Sequence, residues 1–215
     1  MEKIAKKFDF LVEHWYYKYP EFWELFDGLE KDDRIIDAGC GKSATAHKLL
    51  EKGFKNITLL DIEDQRFFEE TKRQPFFKVN LNCDQWPFDD NSIDCVVATE
   101  IIEHLENPWF FVREIHRVLK PGGKLILSTP NVWNIISRLL FLKNGMLECF
   151  GRNFSHHLWA PNKELFELAL KNFRLIKKFY NQRERLYFLG LCFKIKLPRN
   201  EFWGPHVCYL FEKLI

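Results

Sequence analysis

Three side chains able to bind a metal or transfer a proton follow one short apolar segment. Glu100, Glu103 and His104 stand in the sequence ATEIIEH, residues 98–104. On a helix, the spacing i, i+3 and i+4 puts all three on one face, and carboxylates with an imidazole suit Mg²⁺ or Mn²⁺. His104 could instead act alone as a general base, or simply pack. The spacing predicts a metal or acid–base site, with Glu100 and His104 as its catalytic groups.

A second candidate site is the glycine-bearing stretch RIIDAGCGKS, residues 34–43. It predicts a short buried strand, a tight turn, and a helix that begins near Ser43. Gly39 and Gly41 allow a ligand to approach the backbone, and the first N–H groups of the helix point back at the turn. Asp37 would repel a pyrophosphate and attract an ammonium group. The stretch therefore predicts a nucleotide-type cofactor with a cationic amino-acid part.

The elements around these residues alternate between strand and helix. Apolar runs predict strands at 34–37, 57–60, 76–80, 93–98 and 124–129, and two more at 173–180 and 207–214. Helices are expected at 43–52, at 106–119 with a stop at Pro121-Gly122-Gly123, and at 162–172, with helix-like segments at 2–29 and 132–150. This alternation predicts a parallel sheet with right-handed crossovers. The candidate residues then lie at the carboxyl ends of strands, where such sheets bind ligands.

Three stretches in the right order resemble the class I S-adenosylmethionine-dependent methyltransferases: DAGCG at 37–41, WPFDDNSID at 86–94 and RVLKPGGKL at 117–125. The resemblance extends over residues 34–131. It implies a Rossmann-like, doubly wound α/β fold with a mostly parallel seven-stranded sheet and helices on both faces. It also implies one methyltransferase domain, with a helical cap at 1–30, a cofactor-binding core at 31–131, and substrate-side and C-terminal strands at 132–215.

The resemblance implies that S-adenosylmethionine is the cofactor. Asp37 would hold its ammonium group, and Asp61, some twenty residues past the turn, would accept both ribose hydroxyls. Asn80 stands where the family commonly has an Asp that meets adenine, with Asn82 and Asp84 as alternatives. Lys42 and Ser43 depart from the family, which commonly has a small residue and a third glycine there. The full set of cofactor-binding residues is Asp37, Gly39, Cys40, Gly41, Asp61, Ile62, Asn80, Leu81 and Thr99.

The pattern Glu-x-x-Glu-His resembles two branches of the family that use a metal. One is the ubiquinone-biosynthesis O-methyltransferases, and the other is the methyltransferases of a 3′-terminal ribose 2′-hydroxyl in small RNAs. In the RNA branch a further histidine follows the fifth strand, and His157 fits its spacing better than His156. The implied Mg²⁺ or Mn²⁺ ligands are Glu100, Glu103, His104 and His157.

These observations predict O-methylation of a small-molecule, glycan or lipid-linked hydroxyl. Methylation of an RNA 3′-terminal ribose is the alternative enzyme, and nucleic acid is a less favoured partner because no RNA-binding module is recognised. A non-catalytic partner subunit with a methyltransferase fold is a third hypothesis, since Lys42, Asn80 and the short segment 62–74 depart from the family. The sequence does not determine the oligomeric state.

Composition sets broad limits on the 215-residue chain. Apolar residues make up 47%, which is ample for one core, and no Cys-x-x-Cys zinc pattern occurs among the six cysteines. The charged N-terminal segment does not resemble a signal peptide and no apolar run would span a membrane, so we expect a cytoplasmic protein. Residues 171–199 carry nine basic side chains and one acid. This basic segment could bind a phosphate, RNA or an anionic membrane, or it could form a solvated face. The same alternatives apply to the apolar run 186–193, which has basic residues on both sides.

Overall fold

The computed structural model describes residues 15–150, 157–158, 160, 163–188, 191–194 and 196–214. Its strands are β1 (Arg34–Ala38), β2 (Asn56–Asp61), β3 (Phe76–Lys78), β4 (Ile93–Thr99), β5 (Leu119–Pro130), β6 (Phe173–Tyr180), β7 (Arg185–Phe188), β8 (Leu191–Lys194) and β9 (His206–Lys213). Its helices are α1 (Pro20–Trp23), α2 (Ala44–Glu51), α3 (Glu69–Lys72), α4 (Pro108–Val118), α5 (Ile135–Asn144) and α6 (Lys163–Ala169), with 3₁₀ turns at Trp15–Lys18, Glu24–Phe26 and Ile102–His104.

Seven strands form one sheet in the order β3-β2-β1-β4-β5-β9-β6. β1 to β5 run parallel, and β9 lies antiparallel between β5 and β6. Alternate residues of the central strands pack on opposite faces of the sheet. Ile36 and Leu60 belong to the core on one face, and Ile35 and Leu59 belong to the core on the other. Both faces of the sheet are therefore covered, as the uniformly apolar strands predict. The expected fold class is confirmed.

Three local predictions differ from the structure. Within 15–29 the expected continuous helix is replaced by short turns around Pro20, while residues 1–14 lie outside the described part. α4 ends at Val118, before Pro121, because Leu119 already pairs with Ile93 as an extended residue. The glycines after it belong to β5, where a Cβ on Gly123 would lie 2.8 Å from the Lys120 carbonyl oxygen. The hairpin of β7 and β8 has no counterpart among the predicted elements.

Other predictions agree with the structure closely. The helix between β2 and β3 is short, and both C-terminal strands form within one residue of the expected bounds. Among the described residues, no helix combines the length and the apolar character that crossing a membrane requires.

Candidate active site

The turn after β1 is tied to the neighbouring strand by its own backbone. Gly39 and Gly41 have φ angles of 75° and 47°, in the region that favours glycine. The N–H groups of Gly39 and Cys40 donate to the Leu60 carbonyl at 2.9 and 3.1 Å. Ser43 takes the left-handed conformation of the family's third glycine, with φ 64°. Its buried hydroxyl lies 2.7 Å from Thr71 Oγ1, which holds the strained residue in place.

Asp61 lies against this turn at the end of β2. Its Oδ2 accepts from the Gly41 N–H and its Oδ1 accepts from the Ile62 N–H, both at 2.7 Å. Each oxygen keeps a further lone pair, so the carboxylate is held in one orientation while still able to accept two hydroxyls. The Ile62 side chain beside it is 54% exposed. An exposed apolar side chain next to a ribose acceptor suits the face of a nucleobase.

Asp37 is buried beneath the turn. Its Oδ2 accepts from the Ala46 N–H at 3.1 Å, and within the described residues it forms no ion pair. Burial raises the pKa of Asp37 to about 7, with a smaller contribution from the charge of Asp61. A cation brought to this carboxyl would supply the missing countercharge. The geometry therefore suits the ammonium group of an amino-acid ligand.

The turn after β3 is closed by its own polar side chains. The Asn80 Oδ1 accepts from the Asn82 N–H at 3.1 Å, and Asp84 Oδ2 accepts from the Asn80 N–H at 2.8 Å. Asn82 Oδ1 in turn accepts from the Asn107 N–H. Leu81 is buried in the main core. Contact between adenine and Asn80 or Leu81 therefore stays a prediction.

A set of hydroxyl groups lies beside the turn. Thr99 Oγ1, at the end of β4, is 3.3 Å from Thr45 Oγ1, which lies 2.9 Å from the Tyr17 hydroxyl. Burial raises the pKa of Tyr17, so the phenol stays neutral. Thr99 was a predicted cofactor residue. Thr45 and Tyr17 were not predicted.

Three of the predicted metal ligands come together just beyond β4. One ligand atom from each of Glu103, His104 and His157 lies within 4.8 Å of the others. The Leu158 N–H donates to the Glu103 carbonyl at 2.7 Å, which fixes the distant segment against the 3₁₀ turn. Glu103 is fully buried, and neither carboxyl oxygen has a hydrogen-bond partner among the described residues. Burial, and then the charge of Glu100, raise the pKa of Glu103 well above its usual range.

Glu100 does not share a helical face with this cluster, so that part of the prediction is wrong. The 3₁₀ turn covers only Ile102–His104, and Glu100 itself has a φ of 51°. Its carboxylate accepts from Ser128 Oγ at 2.7 Å and lies 3.8 Å from His206 Nε2. The positive φ turns the chain sharply at the end of β4, so Glu100 faces β5 and β9. Its assignment as a metal ligand and catalytic group stays a prediction.

His206 joins the site through tertiary structure alone. The antiparallel register places it opposite Pro130, and its Nδ1 lies 3.2 Å from Asn181 Nδ2. Burial lowers the pKa of His206 to about 4, with Arg183 and His157 adding to the effect. The ring is therefore neutral at pH 7. Ser128 and His206 were not predicted, because nothing in the sequence pairs β9 with β5.

The basic C-terminal segment is partly used inside the protein. Arg183 is buried and its guanidinium donates to both oxygens of Glu148 at 2.6 and 2.5 Å. Arg174, Lys177 and Arg199 pair with Glu212, Glu24 and Glu21 respectively. These pairs remove several cations from the basic surface that composition suggested.

Comparisons with known proteins agree with this geometry. Residues 36–127 match the family model described as a methyltransferase domain. A protein of Mycolicibacterium smegmatis named as a probable S-adenosylmethionine-dependent methyltransferase is 34% identical over 98 residues, 45% of this chain and 38% of that protein. The ubiquinone biosynthesis O-methyltransferase of Rickettsia conorii is 31% identical over 115 residues, 52% of this chain and 39% of that enzyme. A solved SAM-dependent methyltransferase of Archaeoglobus fulgidus has a TM-score of 0.63 at 17% identity, covering 90% of each chain.

The strand order, the glycine turn and the acid at the end of β2 define the class I methyltransferase fold, a Rossmann-like α/β fold. Residues 36–127 match a methyltransferase domain, and the predicted resemblance to the class I S-adenosylmethionine-dependent methyltransferases is confirmed. The chain spans less than half the length of the curated relatives it matches.

Proposed function

We propose that this protein transfers a methyl group from S-adenosylmethionine to a hydroxyl acceptor at the ends of β4 and β5. The observation that carries this proposal is the buried Glu103 carboxyl beside His104 and His157. Glu103 lies two residues past Ile101. The Ile101 side chain packs against Gly39 of the turn after β1. Groups able to accept a proton are therefore adjacent to the place where the methyl donor would bind.

Each residue has a separate task in the transfer. Asp37 would pair with the cofactor ammonium and Asp61 would accept its ribose hydroxyls. The acceptor oxygen attacks the sulfonium methyl in line, the carbon–sulfur bond breaks, and S-adenosylhomocysteine leaves. The hydroxyl proton passes to a group of the cluster, for which Glu103 and His104 are the candidates. A buried carboxyl whose pKa is raised, beside an imidazole, is a group of the kind that exchanges protons at active sites.

The same cluster fits a divalent cation. A carboxylate and two imidazoles that converge within 4.8 Å form a donor set of the kind that Mn²⁺ accepts. A cation would give the Glu103 oxygens a partner, which they do not have among the described residues. Glu103, His104 and His157 would hold the ion. When bound, it would lower the pKa of the acceptor hydroxyl.

The decisive experiment is calorimetric titration of the protein with S-adenosylhomocysteine, with and without Mn²⁺, followed by transfer assays with catechol, glycan and lipid-linked hydroxyl acceptors. We expect micromolar affinity, about −8 kcal/mol, and methylated oxygen in the product. Failure to bind the cofactor would contradict the proposal and favour a non-catalytic partner subunit. Cofactor binding with transfer only to nitrogen acceptors would contradict its oxygen specificity.

One observation favours a second candidate, methylation of an RNA 3′-terminal ribose. His157 reaches the cluster from beyond β5, as the resemblance to the RNA branch implies. Against it, Arg183 and three other cations of the basic segment already have carboxylate partners. RNA binding that weakens steeply with salt would support this candidate, and no binding at low salt would exclude it.

A further inference from the structure

Helix α5 is rich in apolar residues, well capped and exposed along one face. Leu139, Phe141 and Leu142 are 54%, 56% and 83% exposed, and Ser137 is its one buried residue. The exposure does not come from a poorly formed helix. The Asn134 side chain accepts from the N–H groups of two first-turn residues, and Gly145 ends the helix in the left-handed conformation. A stable helix that presents leucine and phenylalanine to solvent indicates a surface made for contact.

The charges on α5 flank its apolar face. At about 100° per residue, Leu139 and Leu142 point away from Ser137, while Arg138 and Lys143 lie on either side of the two leucines. The stretch from 131 to 147 contains no Asp or Glu. The outward face is therefore an apolar stripe bordered by two cations, and it continues into Met146, which is 45% exposed.

Further cations lie on the same side of the molecule. The buried Arg183 joins the start of the β7–β8 hairpin to α5, because its guanidinium bonds Glu148 and lies 3.4 Å from the Asn134 side chain. Beyond that hairpin, Lys194 and Lys196 are exposed, and the Arg183 carbonyl accepts from the Leu197 N–H. The segment that carries these exposed lysines is therefore linked through Arg183 to both ends of α5.

We propose that α5 binds the headgroup region of an anionic membrane, with Leu139 and Leu142 inserted among the acyl chains. An anionic bilayer is complementary to this face in both respects, since it offers an apolar interior below a negatively charged surface. A second copy of the chain is not complementary. A two-fold contact would bring Arg138 and Lys143 of each copy against the same cations of the other.

This membrane contact goes beyond the proposed methyl transfer and does not depend on it. Its position nevertheless bears on the acceptor. β5 ends at Pro130, beside His206 of the site, and α5 begins only five residues later. A protein seated on α5 would hold the ends of β4 and β5 close to the bilayer surface, where a lipid-linked hydroxyl is presented.

The test is co-sedimentation of the full chain with vesicles, either pure phosphatidylcholine or a mixture of phosphatidylcholine and phosphatidylglycerol, at low ionic strength. The double variant Leu139→Gln/Leu142→Gln removes the inserted groups, and Lys143→Glu reverses one flanking charge. Leu175→Gln is the matched control, because Leu175 is 46% exposed but lies on a different element, near the start of β6 and opposite Phe211. All four side chains are exposed, so the variants should fold, and thermal unfolding and S-adenosylhomocysteine binding check this.

We expect the natural chain to bind the anionic vesicles and the leucine double variant to bind at least roughly tenfold more weakly. Lys143→Glu should weaken binding at least roughly fivefold, since one cation near such a surface contributes that much, and Leu175→Gln should bind as the natural chain does. Equal binding to both vesicle types, no binding to either, or full binding by the double variant would overturn the proposal. So would a dimer in sedimentation that the double variant converts to monomer, because a second copy would then cover the stripe.

Discussion

The backbone N–H of Gly41 donates to Oδ2 of Asp61 at 2.7 Å. This bond joins the turn after β1 to the acid at the end of β2, so the two halves of the cofactor site are positioned by each other. The second carboxylate oxygen is fixed by the Ile62 N–H. If Asp61 accepts the ribose hydroxyls as proposed, its carboxylate is oriented before any ligand arrives, which reduces the entropy lost on binding.

Replacing Asp61 by Asn should weaken S-adenosylhomocysteine binding by roughly 10- to 100-fold, because a charged acceptor bond contributes about 1.5–3 kcal/mol. An amide has only one acceptor oxygen, so it cannot use one polar atom to accept from Gly41 and the other to accept from the ribose. Calorimetric titration measures the change. Asp64→Asn is the matched control, since Asp64 stands three residues away, is exposed and pairs with Arg66. An equal effect of the two substitutions would contradict the assigned role of Asp61.

Gly39→Ala should destabilise the protein more than Gly145→Ala. Both glycines have left-handed φ angles, of 75° and 72°, so both variants incur a conformational cost of about 1 kcal/mol. A Cβ on Gly39 would in addition lie 2.4 Å from Ile101 Cγ1, whereas nothing lies within 4 Å of one on Gly145. Overpacking adds roughly 1–3 kcal/mol. Urea unfolding compares the two, and equal losses would show that the Ile101 contact is unimportant.

Asp37 should make the free protein less stable as pH rises toward neutral. Its pKa is about 7 in the fold against 3.8 in the unfolded chain, so between these values the folded state binds more protons. The free energy of unfolding then falls with rising pH, by at most about 1.4 kcal/mol per unit. Asp37→Asn should remove that decline, which urea unfolding at pH 5 and pH 7 measures. If the free energies of unfolding of the natural chain and Asp37→Asn differ by the same amount at pH 5 and pH 7, the prediction is contradicted.

The cofactor should favour the ionised form of Asp37, whereas the free protein favours the protonated form. A bound ammonium group favours the ionised carboxylate of Asp37, so we expect affinity for S-adenosylhomocysteine to rise with pH over the same interval. Calorimetric titration with S-adenosylhomocysteine at pH 5, 6 and 7 measures this affinity. Its pH dependence should be smaller in Asp37→Asn. Affinity that is independent of pH in both proteins would argue that the ammonium group lies elsewhere.

Glu103→Gln should stabilise the metal-free protein at pH 8, because it removes a buried carboxyl whose pKa is raised by burial. A gain of about 1 kcal/mol corresponds to a Tm increase of roughly 2–4 °C. Mn²⁺ should raise the Tm of the natural chain, with the gain reversed by a chelator, and should not affect the variant. Glu106→Gln, at an exposed position three residues on, serves as the control. A lower Tm for Glu103→Gln would indicate a structural role instead.

The positions of the predicted cofactor residues could be inferred from the sequence because these residues are close to the strand ends that position them. Asp37, Gly39 and Gly41 follow one strand and Asp61 ends the next, and the alternation of strands and helices already requires those ends to be neighbours. The structure also explains how Ser43 is accommodated where the family commonly has a glycine. A serine in the left-handed conformation replaces the glycine, and the Thr71 hydroxyl supports it.

The acceptor half was only partly predictable. Helical spacing grouped Glu100 with Glu103 and His104, but the chain turns at Glu100 and the carboxylate joins Ser128 and His206 instead. Periodicity cannot detect a single residue with a positive φ. It also cannot show that β9 runs antiparallel beside β5 and brings His206 to Pro130.

The sequence by itself determined the fold class, the resemblance to the methyltransferases and the strand ends at which the predicted cofactor residues lie, because hydrophobic patterning and short-range turn chemistry follow the order of the chain. Tertiary structure decided which polar groups meet across distant segments. It buried Glu103 with no hydrogen-bond partner for its carboxyl among the described residues, paired Arg183 with Glu148, and left Leu139 and Leu142 of α5 exposed. These outcomes depend on how strands pair and how helices pack, and no local spacing specifies either.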